Sequence, residues 1–361
     1  MSFPKTLWGL LFRLFPCPTN LGLRRIGNPG PESPVLVTCN FDLTVKRLTR
    51  ALRGVDAWLL VAQSKGVNVW CAAGAEAFNT ASVVSVVKTS GIAGQVDHRK
   101  LILPPLGAPG ICAEEVERET GWSTHWGPVR AGDLRRYLEI GCRRDDAMKR
   151  ATYGWQERLD TGLGSLFGFY FLGAVGFALF GRPLLLDYLV VGAACFAAVM
   201  LLAPRLPGRR GITKVLFLDV LLGIALIATG LLLDDGGQHV RADLIIAIIA
   251  LLFFGSELGG LSSTMRSDLD PLLARLGIGA LGNAAFAGTI RTELLNGERK
   301  LRYDREACVA CHSCIEVCPR GVWVEGEDGR AEFARPEACT ACRACLVQCG
   351  PEAIKAVVTV K

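Results

Sequence analysis

Gly66-Val-Asn-Val-Trp-Cys-Ala-Ala-Gly74 follows closely on Ala57-Trp-Leu-Leu-Val-Ala62, an apolar run of strand length. Two similar runs flank the pair, Val35-Leu-Val-Thr38 before it and Lys100-Leu-Ile-Leu103 after it. Within the quoted stretch, Val67-Asn-Val-Trp70 reads as one more short strand. Residues 43–52, 80–87 and 133–140 have helical spacing, so strands and helices alternate through 34–150. That order predicts an α/β, Rossmann-like domain with a mostly parallel sheet. Ligands of such sheets bind beyond the carboxyl ends of the strands. Cys71 falls just past such an end, which makes 66–74 the candidate cofactor site.

Further from this stretch the chain changes character. Residues 1–33, punctuated by Pro4, Pro16, Pro18, Pro29 and Pro31, read as an irregular leader without a signal-peptide pattern. Its 8–15 segment, flanked by Lys5 and Arg13, has the make-up of a surface-lying membrane segment. Beyond 150 come four apolar runs, at 163–181, 184–203, 215–233 and 244–261. Each approaches the roughly 20 residues that cross a hydrocarbon core, and they predict an α-helical transmembrane domain within 151–295. Arg205, Arg209, Arg210 and Lys214 crowd the connection between the second and third runs, whereas Asp234 and Asp235 follow the third. The positive-inside tendency then puts both ends of the chain in the cytoplasm, with the spans in the cytoplasmic (inner) membrane. Asp219 and Glu257 are carboxylates within these runs, and 275–289 is a Gly-rich stretch read as interfacial or re-entrant.

Composition agrees. The chain has 361 residues, enough for two or three folding units, and 50% of them are hydrophobic. Its formal charge of +6 is spread along the chain, which argues against nucleic-acid binding. Of 14 cysteines, eight lie between Cys308 and Cys349, in a spacing that indicates metal clusters and a reducing compartment.

Those eight form two runs, Cys308-x-x-Cys311-x-x-Cys314-x-x-x-Cys318-Pro319 and Cys339-x-x-Cys342-x-x-Cys345-x-x-x-Cys349. In two-cluster ferredoxins three closely spaced thiolates hold one face of a 4Fe-4S cube and the fourth comes from the other run. The pattern assigns Cys308, Cys311, Cys314 and Cys349 to one cluster, and Cys339, Cys342, Cys345 and Cys318 to the second. A zinc ribbon would need four ligands, not eight in an internal repeat. Residues 296–361 are thus predicted to be an α+β, bacterial-type ferredoxin domain with two 4Fe-4S clusters. Cys17, Cys39, Cys112, Cys142 and Cys195 stand alone and read as structural, although Cys39 follows the first strand and could approach a cofactor.

The 66–74 stretch resembles the Asn-(Val/Ile)-Trp-Cys-Ala-(Ala/Gly)-Gly signature of the mercury-methylating corrinoid protein. Residues 34–150 are similar to its corrinoid domain and those from 163 onward to its membrane domain. Residues 300–355 resemble its separate ferredoxin partner, so the chain looks like a fusion of the two. The resemblance implies that Cys71 is the lower axial ligand of a cobalamin-type cobalt cofactor. It implies that Asn68 and Trp70, with Val69 between them, position the cap against the ring, and that Ala72, Ala73 and Gly74 allow close backbone approach. It also implies corrinoid-dependent methyl transfer to Hg(II), a soft metal ion. The clusters would return the cobalt to Co(I) under anaerobic conditions, and tethering raises their effective concentration. A folate-type methyl-donating system and a low-potential electron donor would be the partners.

Two departures from the family pattern concern the acceptor. The family signature usually continues Gly-Lys, but here Gly74 is followed by Ala75 and Glu76, and no cysteine follows Cys349. The alternatives are a corrinoid methyltransferase or methyl carrier with another acceptor, and a membrane-bound iron–sulfur electron-transfer protein without methyl transfer.

Overall fold

Three strands, β2 (Val35–Cys39), β3 (Ala57–Ala62) and β4 (Lys100–Leu103), carry apolar residues on both faces because both faces are covered. Val37, Leu60 and Leu103 point into one core, whereas Leu36, Leu59 and Ile102 point into the other. The computed structural model describes residues 16–152, 154–202, 205–206, 211–233, 238–257, 301–339 and 342–356. They fall into two units, one within 154–257 and one formed by 16–152 with 301–356.

The sheet of the second unit has five strands in the order β1-β3-β2-β4-β5, with β1 at Gly22–Ile26 and β5 at Ser123–Trp126. The strands β3, β2, β4 and β5 are parallel; β1 runs antiparallel on the outer edge of β3. From β2 onward this is the flavodoxin-like order, whose switch point lies between the first and third parallel strands, here β2 and β4. Helix α1 (Asp42–Ala51) covers one face, with α5 (Leu134–Glu139) and α6 (Asp146–Lys149). The other face is covered by α3 (Thr80–Thr89) and α4 (Ala113–Thr120).

Two expectations are corrected. The stretch Val67-Asn-Val-Trp70 is not a strand: Asn68 caps a short helix, α2 (Val69–Gly74), its Oδ1 accepting the Cys71 N–H at 3.0 Å. The leader is not irregular throughout, because Gly22–Ile26 pairs with all but the last residue of β3.

The link between β3 and α2 is fixed from below. Asn40, at the carboxyl end of β2 and 4% exposed, accepts at Oδ1 from Ser64 N (2.9 Å), Ser64 Oγ (2.8 Å) and Gly66 N (3.0 Å). Gly66 has φ +71°, and a Cβ there would lie 2.6 Å from Pro18 N. Its carbonyl accepts from Cys17 N at 2.9 Å, so the 17–18 segment packs directly on this turn.

The 154–257 unit contains α7 (Trp155–Phe180), α8 (Leu185–Leu202), α9 (Gly211–Leu233) and α10 (Gln238–Glu257). Its interior is built on Tyr188, which stacks on Phe169 (4.8 Å) and Phe177 (4.7 Å), and on Cys195, Leu218, Leu251 and Phe254. Two of these helices, through Gly162–Leu179 and Leu185–Leu202, are long and apolar enough to cross a membrane. In the other two, apolar segments run through Phe217–Ala228, within which Asp219 lies, and Ala242–Phe254, which Gln238, His239 and Arg241 precede. Asp219 Oδ1 is buried with no hydrogen-bond partner among the described residues. Arg209, Arg210 and the 275–289 stretch lie outside the described residues, and only the helical placement of Glu257 is described.

The dicluster segment pairs β6 (Leu301–Tyr303) with β9 (Ile354–Ala356) and β7 (Trp323–Glu325) with β8 (Ala331–Phe333), both antiparallel. Trp323 is its buried centre, 5.3 Å from the Tyr303 ring and 4.8 Å from that of Phe333.

Replacing Asn40 by Ala leaves the buried Gly66 N–H without its acceptor, while Ser64 N and Oγ keep Gln63 Oε1 (3.1 Å) and Val67 O (2.8 Å). At about 1–3 kcal/mol for a buried group left unsatisfied, Asn40→Ala is expected to lower stability by about 1–3 kcal/mol. The measurement is the urea midpoint at unchanged m, with exchange of the Ser64 and Gly66 amides accelerated first. Unchanged exchange at both amides would refute the role given to Asn40.

Candidate cofactor sites

The internal repeat of the cysteine runs reappears in the backbone. His312 and Arg343 occupy the same place in the two runs, and both are left-handed, with φ +59° and +68°. Each is followed by a short helix, α11 (Ser313–Val317) and α12 (Ala344–Val347). Cys308, Cys311, Cys314 and Cys349 line one pocket, so the first run and the last cysteine of the second lie together. Burial pushes the Cys314 thiol up to about 12, and the neighbouring Cys311, Cys308 and Cys349 add to the rise. Burial likewise raises Cys345, with Cys342, Cys318 and Cys339 as its charged neighbours. Four crowded thiols resist joint ionisation unless a cationic centre compensates them, and an iron–sulfur cube supplies one. Both sets therefore fit a cluster.

The 66–74 stretch sits at the carboxyl edge of the sheet. Asn68, Val69, Trp70, Cys71 and Gly74 are half-buried, whereas Ala72 (0%) and Ala73 (1%) are within the core. Ala72 and Ala73 therefore owe their small size to packing inside the protein. A Cβ on Gly110 would lie 2.9 Å from Ala73 O, so the loop after β4 meets α2 backbone to backbone. The Asn68 side-chain oxygen is committed to capping the helix. Cys39 is buried at 0%, and desolvation pushes its thiol up, which makes it a core residue. Ala75 and Glu76 are exposed at the carboxyl end of α2, so the departure from the family pattern alters the rim of the site.

One set of residues escaped the sequence reading. The loop after β4 and the start of α4 also hold the dicluster segment. Gln348, which precedes Cys349, donates from Nε2 to Ala108 O (3.0 Å) and Ile111 O (2.6 Å) and accepts from Ala113 N (3.2 Å). Ala108, Val317 and Ala344 pack together, fully buried, with Trp126 and Cys342 against them. Glu316 accepts from Arg144 and Lys149, both at 2.6 Å, and the Arg144 side chain is only 4% exposed. Burial alone would raise the Glu316 carboxyl; Lys149 and Arg144 outweigh it and hold the group below its usual range. Ala151 N also donates to Pro319 O at 2.9 Å. No local pattern announces such pairs, whose partners lie more than 150 residues apart.

A β2-β4 switch point with a thiol beside it, joined to a dicluster segment, defines a cofactor-binding α/β domain with its own redox module. Residues 14–138 match the family model of the CO dehydrogenase/acetyl-CoA synthase delta subunit, and residues 300–350 match that of the 4Fe-4S dicluster domain. The cofactors that these matches support are a cobalt corrinoid and iron–sulfur clusters.

Among curated relatives, the acetyl-CoA decarbonylase/synthase complex subunit gamma of Archaeoglobus fulgidus is 36% identical over 120 residues, covering 33% of this chain and 25% of the relative. The Methanopyrus kandleri subunit is 36% identical over 120 residues (33% and 26%), and that of Methanocaldococcus jannaschii 36% over 104 residues (28% and 21%). The chain thus spans about a quarter of the length of these relatives.

If the fourth ligand crosses between the runs, Cys349→Ala removes the cluster of Cys308, Cys311 and Cys314. Iron is expected to fall from about eight to about four atoms per chain. Cys308→Ala is expected to give the same remaining spectrum. A remaining spectrum that instead matches Cys339→Ala would overturn the assignment.

Proposed function

We propose that the chain is a corrinoid-dependent methyltransferase with a built-in ferredoxin, anchored in a membrane, whose methyl acceptor is Hg(II). The observation that carries this reading is Cys71 on a capped helix at the carboxyl edge of a sheet that matches a corrinoid-subunit family, in one unit with the dicluster segment.

Cys71 would hold the cobalt, and its thiolate would make the metal electron-rich. Asn68 keeps the helix that carries it in place by accepting the Cys71 N–H, and Trp70 and Val69 flank the thiol on that helix. Cys308, Cys311, Cys314 and Cys349 would hold one cluster and Cys318, Cys339, Cys342 and Cys345 the other. When bound, the corrinoid supplies a cobalt that takes up and releases a methyl group, and the clusters supply low-potential electrons. The docked dicluster segment keeps that electron source beside the sheet edge through Glu316 and Gln348. The methyl donor would be a folate-type system, as the family resemblance implies.

The membrane part rests on the outer faces of the four helices. Leu179, Leu186, Val190, Val220, Ile224 and Ile245 are all more than half exposed, an apolar exterior that suits lipid better than water. The proposed arrangement is four spans with both ends of the chain in the cytoplasm. A second reading, methyl transfer to another acceptor, is favoured by Ala75, which stands where the family pattern has a lysine, with the acid Glu76 after it.

Anoxically purified protein is expected to contain about one cobalt per chain. Cys71→Ala is expected to keep the iron content, shift the cobalt absorbance, and lose methyl transfer by at least about a hundredfold, the scale of a lost ligand-level interaction. Absence of cobalt in strictly anoxic protein would sink the proposal. Expressed in a host without the pathway, the chain should produce methylmercury; methylation of another soft electrophile with none of mercury would select the second reading. The protein is expected in the membrane fraction after alkaline washing, and recovery in the supernatant would refute the anchor.

A further inference from the structure

The two thiol sets are not equally placed. Cys342 packs beside Ala108, Val317 and Ala344 and shares that contact with Trp126, the last residue of β5. The loop that includes Ala108 continues to Gly110, whose backbone meets Ala73 of α2, two residues from Cys71. At the other end Cys311 is exposed, and Val309 beside it is 66% exposed. Gln348 and the Glu316 pairing with Arg144 and Lys149 fasten the segment in this orientation. Gly350 records the same fit, because a Cβ there would lie 3.0 Å from Glu114 Oε2.

We infer that the face bearing Glu316, Val317, Ala344 and Gln348 is the docking face of the dicluster domain. It turns Cys318, Cys339, Cys342 and Cys345 inward, as the site from which the electron leaves for the corrinoid, and Cys311 outward, as the side where an external reductant delivers it. The electron direction rests on the corrinoid reading above; the docking face does not. One electron moves in each transfer. The external one-electron reductant is oxidised, the inward cluster returns to its oxidised state, and Co(II) becomes Co(I), with no proton taken up or released. Glu316 and Gln348 are positioning residues, since neither is a cluster ligand.

The test uses the full chain loaded with both clusters and corrinoid, with Ti(III) citrate as reductant and cobalt followed by its absorbance. Cys342→Ala is expected to slow the reduction of cobalt by at least about a hundredfold, because an intramolecular step becomes a bimolecular one. Cys311→Ala, which removes the entry side but leaves the inward cluster in reach of the reductant, is expected to slow it by about tenfold, clearly less than Cys342→Ala does. An equal or larger loss in Cys311→Ala would overturn the assignment.

A second arm avoids the ligands. Glu316→Lys faces Arg144 and Lys149 with a like charge, and should speed amide exchange at Ala113 and Ala151 by at least about tenfold, with iron content retained. Adding Arg144→Glu should reverse most of that gain. Unchanged exchange in Glu316→Lys would refute the docking face. Exchange is read with or without cobalt, so failure to bind corrinoid would sink the preceding proposal while the docking result still stands or falls alone.

Discussion

A single carboxamide oxygen, Asn40 Oδ1, sets the geometry on which the rest depends. It is buried and takes three donors, two of them backbone N–H groups from the turn that follows β3. In a low-dielectric interior each of these bonds is strong, and each donor would be costly if left without a partner. The carboxyl end of the central strand is thereby tied to the turn preceding α2. Gly66 adopts the left-handed conformation that the turn requires and leaves room for Pro18. Asn68 then starts the helix that carries Cys71. The position of the thiol follows from a chain of backbone restraints that begins one strand away.

The loop after β4 is a second organising element, since it serves two neighbours. Gly110 lets it meet Ala73 in α2, and Ala108, Ile111 and Ala113 receive Gln348 from the dicluster segment. The desolvated charge on Arg144 is met by the carboxylate and backbone carbonyl of Glu316. Removal of Glu316 would leave the buried Arg144 charge uncompensated, which is more costly than the pair is favourable. A covalent fusion alone would leave the domains free to reorient; these contacts give the fusion a defined geometry.

The central strands and the dicluster segment were legible in the sequence for simple reasons. Residues 57–62 and 101–103 are buried on both faces and so are uninterrupted apolar runs, and the cysteine spacing is that of two-cluster ferredoxins. Other elements were hidden. Gly22-Leu-Arg-Arg-Ile26 is an edge strand whose arginines give no alternation, and Ser123-Thr-His-Trp126 is polar although it lies in the sheet. Helix α4 buries Val116 within a charged sequence, so it shows no apolar stripe. Val67 to Trp70 looks like a strand because valines flank Asn68, whereas the capping hydrogen bond decides for a helix. Asn40, Arg144 and Gln348 belong to no motif; only the folded chain gives them partners.

The left-handed residues His312 and Arg343 mark two halves of one design, alike in loop, helix and thiol pattern. Taken alone, such halves are related by an approximate two-fold, and nothing in their ligands ranks one above the other. Docking breaks that equivalence. Ala108 meets both halves, through Val317 and Ala344, but Cys342 lies against this cluster with Trp126 while its counterpart Cys311 meets water beside Val309. Solvent exposure is among the factors that set the reduction potential of a cluster. Surroundings alone can therefore give two chemically identical centres a sense of direction, so that a duplicated module acquires polarity without a change in any of its eight thiols.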